Sequence, residues 1–87
     1  MNFERFSKEQ LQEARLYASS INRDIAREAA KPDFGFADHV SDAEKNAYIN
    51  NQLSLADDID NGKMDGNFTV RQRMYYFLTG ECVPILK

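Results

Sequence analysis

The sequence predicts an all-α fold: a three-helix bundle with a long first helix and an extended C-terminal tail, forming a single helical domain over residues 1–87. Three helix-start signals carry this expectation: Ser7-Lys8-Glu9-Gln10, Ser41-Asp42-Ala43-Glu44 and Thr69-Val70-Arg71-Gln72. In each, the hydroxyl can accept from the amide three residues on while the Gln or Glu side chain reaches back to the cap's own amide, satisfying two orphan donors. Apolar residues then recur at helical spacing, and 87 residues suffice for one modest core but not for a separate catalytic layer.

The first helix is predicted from Lys8 to Ala30, because Leu11, Ala14, Ala18, Ile21 and Ile25 recur at alternating spacings of three and four. Phe6 before the cap and Leu11 inside it can form a hydrophobic staple. Pro32 disfavours helical geometry at Lys31 and ends the segment. The two alanines of the seam allow another helix to approach closely, either from the same chain or from a second copy in a homodimer. Phe34-Gly35-Phe36 follows between turn formers. Its rings can plug the end of the bundle or anchor a partner, since interface hot spots favour large aromatics.

The second helix starts after Ser41, with Asp42 and Glu44 in the first turn, where the positive end of the dipole favours acids. It continues through Tyr48, Ile49, Leu53, Ala56 and Ile59 to a left-handed stop at Asn61-Gly62. Asn50, Asn51 and Gln52 interrupt its apolar face, which predicts packing on one narrow stripe. The third helix is predicted from Thr69 to about Thr79, with Val70, Met74, Phe77 and Leu78 on one side and Gly80 closing it. The tail Cys82-Val83-Pro84-Ile85-Leu86 is apolar and is expected to lie back across the core.

Net charge is −3, unevenly distributed. Residues 1–32 carry six basic and five acidic groups, residues 33–65 two basic and eight acidic, and residues 66–87 three basic and one acidic. The acidic middle between mildly basic flanks could orient a partner. No apolar run approaches the roughly 18 residues that suggest a membrane helix, and Met1-Asn2-Phe3-Glu4-Arg5 lacks the pattern of a secretory signal. The single cysteine, Cys82, can form neither an internal disulfide nor a cysteine-rich metal cage. A reducing compartment, the cytoplasm, is therefore expected, without a membrane association.

Four groupings invite a chemical reading. The run from Asp57 to Asn67 suggests a calcium loop, but the register fails: with Gly62 at the sixth position Ile59 falls on a ligand position, and neither frame supplies the closing glutamate. Solvated acids after a helix end are expected instead, and no metal site. Arg23, Arg27 and Lys31 form a basic stripe on the first helix that could hold a nucleotide-like anion, although Asp24 and Glu28 stand close enough to pair with it. Arg71, Gln72 and Arg73 open the third helix as a DNA-reading helix might be built, but the acidic balance opposes phosphate attraction. Tyr75-Tyr76-Phe77 is the densest aromatic cluster; at about 100° per residue one tyrosine must face outward or into an interface. His39 and Cys82 supply at most two of the three groups that nucleophilic catalysis generally needs, so neither an enzyme nor a cofactor is expected.

The stretch from Thr69 to Leu86, TVRQRMYYFLTGECVPIL, resembles the C-terminal ends of small accessory proteins from early regions of temperate phages infecting enterobacteria. The resemblance implies a protein that acts by binding a host or defence protein as a modulator or inhibitor, located in the host cytoplasm. It transfers no residue roles. The residues themselves suggest Arg71, Arg73, Tyr75, Tyr76, Phe34 and Phe36 as the partner-binding set. A nucleic-acid-binding regulator built on the third helix is the alternative, and an anion binder built on Arg23, Arg27 and Lys31 another.

Overall fold

A computed structural model describes residues 3–81. They form three helices, α1 (Lys8–Ala29), α2 (Asp42–Asp60) and α3 (Phe68–Thr79). Two of the three start signals operate as expected. Ser7 and Ser41 each accept from the amide three residues on, at 3.1 Å in both cases. Gln10 and Glu44 reach back to the cap amides at 2.8 and 3.4 Å. The third signal does not start a helix. α3 begins one residue earlier, capped by Asn67, whose side chain accepts from the Val70 amide at 3.1 Å; Thr69 is already inside the helix. Asparagine is at least as good a cap as threonine, and taking it adds the aromatic Phe68 to the first turn.

The left-handed stops fall where expected. Gly62 has φ of +79° after the Asn61 cap, and Gly80 has φ of +74° at the end of α3. A Cβ at Gly62 would meet Asp65 and Arg15 atoms only at ordinary contact distance, so backbone conformation rather than space selects glycine there.

α1 is the shared partner of both other helices; α2 and α3 scarcely meet. The arrangement is flat, with extents of 47 × 29 × 19 Å and a radius of gyration of 15.1 Å, against about 12 Å for a compact domain of this length. The core is correspondingly thin. Ala14, Ala18, Ile59, Val70 and Met74 form its buried cluster, with Phe3, Leu11, Met64 and Leu78 against it.

Three expectations about facing are corrected. The buried line of α1 passes through Ala14, Ala18, Ser19, Asn22, Ala26 and Ala29, while Ile21 and Ile25 sit half-buried at its margin. Within the chain Ala14 and Ala18 are buried in the cluster with Ile59, Val70 and Met74. Phe77 is 43% exposed while Met74 is 2% exposed, so Phe77 leaves the core side of α3, whereas Leu78 packs against the core as expected. At the N-terminus, the Phe6 ring meets Phe3 at 6.5 Å and the Arg5 guanidinium at 4.8 Å, and it is Phe3 that reaches the core. The expected tail, Cys82 to Leu86, lies outside the described residues.

Candidate binding surface

Helix α2 is tied to α1 by polar contacts that sequence spacing does not reveal. Gln52, expected to break the apolar stripe, faces inward and accepts from Asn22 Nδ2 at 2.8 Å. Gln12 Nε2 donates to the Asp60 carbonyl at 3.1 Å, covering an acceptor at the end of α2. The acids after Asp57 are not merely solvated. Asp65 receives a two-pronged bond from Arg15, Nε to Oδ1 at 2.9 Å and Nη2 to Oδ2 at 2.7 Å, which clamps the α2–α3 turn against α1. Such forked pairs are stronger than single-point ones and fix orientation as well.

The basic stripe is consumed in the same way. Arg23 Nη2 lies 2.6 Å from Asp60 and 3.0 Å from Asp57, and its Nη1 donates to Ser19 Oγ at 2.8 Å. Arg27 pairs with Asp24 and Lys31 with Glu28, each at 2.9 Å. The stripe therefore presents no bare run of positive charge to an anion. This corrects the expected partners only for Arg23, which reaches across to α2.

Burial would push the Asp60 carboxyl up, but the Arg23 hydrogen bond, the Ser19 hydroxyl and the Arg23 charge together hold it below its ordinary value. Asp60 Oδ1 is buried without a donor, and Ser19 Oγ, near the Asp60 carboxyl, also lies 3.0 Å from the Leu16 carbonyl, so its one hydrogen has two acceptors to choose between. A swing of that hydroxyl hydrogen would serve Asp60 instead. A carboxylate held below its unfolded value contributes stability that is fully present above the unfolded pKa, and that stability is lost as pH falls through the folded one. Stability is thus expected to fall as pH drops below about 4, the unfolded aspartate value. Asp60→Asn should flatten this acid limb in urea melts taken across pH, and an unchanged limb would remove Asp60 as its source.

The residues expected to bind a partner separate into three groups. Arg73 turns inward: its Nη1 donates to Asn22 Oδ1 at 2.6 Å and to the Ala18 carbonyl at 3.2 Å. Burial pushes its guanidinium pKa down, opposed by the nearby Tyr17 phenol. Arg71 lies over the Phe3 ring at 4.6 Å and donates to the Asp65 carbonyl at 3.1 Å. Both arginines are thus engaged by the chain itself. Phe34 and Phe36 meet at 4.7 Å with their rings tilted by 57°, and they contact Tyr48 at 6.4 and 5.6 Å, folding the loop onto α2. They line an open hollow of about 390 Å³ with Lys31, Lys45 and Ile49. Tyr75 is half-buried, its hydroxyl 3.5 Å from Glu81.

Tyr76 remains outward, 46% exposed, and it is not alone. The Tyr17 ring lies 6.3 Å from Tyr76 and 5.3 Å from Phe77, joining α1 and α3 into one exposed aromatic face. Tyr17 and Phe77 were absent from the expected set. The signal was there in part: Tyr17 stands outside the α1 seam and beside the exposed Leu16. Among the described residues no group of three or more His, Cys, Asp or Glu is placed to hold a metal ion, and no described helix is long and apolar enough to cross a membrane. No family model, curated protein or solved structure matches the chain.

Proposed function

We propose that the chain is a small non-enzymatic module that works by binding another protein. The observation that carries this reading is the aromatic face in which exposed Tyr76 and Phe77 gather against half-buried Tyr17 on a thin fold. Leu16, Leu53 and Phe68 are exposed as well, whereas among the described residues the buried hydrophobic set consists of five alanines with Ile59, Val70 and Met74. Singly exposed apolar side chains are ordinary on a domain surface; rings gathered into one contiguous face are what marks a surface for a partner. Aromatic rings held against one another lose little freedom on binding and suit the centre of an interface.

The phage-type resemblance of the stretch from Thr69 gives the reading its direction: the partner is a host or defence protein, and the chain its modulator or inhibitor, acting in the host cytoplasm. Affinity capture with the wild-type chain is expected to recover a specific partner, and Tyr76→Ser/Phe77→Ser is expected to lose it. Removal of two central aromatics weakens an interface by about 2 kcal/mol or more, roughly 30-fold. Both side chains are exposed enough for the variant to fold. Equal recovery by both baits would eliminate this face, and no partner above background would count against protein binding.

A further inference from the structure

Three arginines, Arg15, Arg23 and Arg73, are drawn into the contacts between elements, and they end differently. Arg15 ends on Asp65 and Arg23 on Asp57 and Asp60. Arg73 ends on neutral acceptors only, the Ala18 carbonyl and the Asn22 amide oxygen. No carboxylate among the described residues pairs with it. Both of its bonds leave from Nη1, so the Nη2 and Nε edge, which matches a carboxylate, is not used. An arginine does not shed its proton to relieve this. Its lowered pKa has the same origin, a guanidinium taken partly out of water without an acid beside it.

Beside Arg73 the divergence of α2 and α3 leaves a cleft of about 200 Å³, walled by Leu55, Ile59, Met64 and Val70 and reaching Asn22. Small-molecule sites usually occupy about 300–1,000 Å³. This one suits a single side chain and its flanking group.

We propose that the cleft seats a short segment of a partner protein in which an apolar side chain stands next to a carboxylate. The apolar group fills the space between Leu55, Ile59 and Val70, and the carboxylate closes on the Nη2 and Nε edge of Arg73. This assignment rests on the protein-binding reading above and names the partner's chemistry.

The test uses the full ¹⁵N-labelled chain and two blocked tetrapeptides, one with leucine followed by glutamate and one with leucine followed by glutamine. The glutamate peptide is expected to shift the amides of Leu55, Ile59, Val70 and Arg73 and to bind roughly fivefold or more tightly than its counterpart. In Arg73→Gln that preference should vanish, and in Arg73→Lys part of it should return. Arg73→Lys also guards against a folding defect, since it keeps the charge. Equal binding of the two peptides would overturn the proposal. So would the absence of shifts at these amides at about 10 mM, which saturates a millimolar site. Sedimentation showing dimers that Arg73→Gln dissolves would make the occupant a second copy and overturn the foreign-partner assignment. A captured protein that binds wild type and Arg73→Gln equally would preserve protein binding and overturn the cleft alone.

Discussion

Met74→Ala is expected to destabilise the fold by about 2–5 kcal/mol, the cost of a large-to-small change in a core that cannot collapse around the void. The loss is large against the roughly 4–13 kcal/mol available to a chain of this size. Met74 is 2% exposed and sits in the buried cluster with Ala14, Ala18, Ile59 and Val70. α3 docks mainly on α1, so the loss of Met74 is not shared with a second broad interface. Phe77→Ala removes a larger side chain from the same helix, yet it should cost only about 1 kcal/mol or less, as expected for a half-exposed ring leaning on Tyr17. Urea denaturation of the two variants measures the contrast. If Phe77→Ala proved the costlier change, α3 would have to be turned so that Phe77, not Met74, faces α1.

That contrast also marks where the sequence stops being legible. Ser7 and Ser41 could be read because a capping box lies within four residues and needs no tertiary partner; Gly62 and Gly80 could be read for the same reason. At α3 two local signals competed. Thr69 with Gln72 completes a box on paper, but Asn67 caps two residues earlier without any reciprocal side chain. That Phe77 would leave the core side while Leu78 stayed on it was likewise undetermined locally, since both flank the line of Val70 and Met74 and the docking angle on α1 separates them. Arg15 and Asp65 are fifty residues apart, and Arg73 and Asn22 fifty-one. Such pairs have no periodic signature. Of the expected binding set, an outward tyrosine was legible from helical geometry, though not that it would be Tyr76 rather than Tyr75, and the inward turn of Arg73 was not legible.

Asn22→Leu is expected to cost about 2–3 kcal/mol, more than its apolar volume would suggest. It withdraws the 2.6 Å acceptor from Arg73 and the donor to Gln52, leaving a partly desolvated guanidinium with one carbonyl. Leaving one member of such a network unpaired carries the full desolvation cost, whereas replacing both members by apolar groups of similar shape is often neutral or stabilising. The double change Asn22→Leu/Arg73→Met should therefore recover most of the loss, giving a coupling of about 2 kcal/mol in a double-mutant cycle read by thermal or urea unfolding. Additive losses with no recovery would mean that Asn22 and Arg73 do not stabilise one another. If the double variant is as stable as wild type, the arginine is not what holds α3 on α1, because an apolar contact does that equally well. What the apolar pair would forfeit is the unused Nη2 and Nε edge beside the cleft, so loss of glutamate-peptide binding in a fully stable Asn22→Leu/Arg73→Met chain would separate the two roles of this residue.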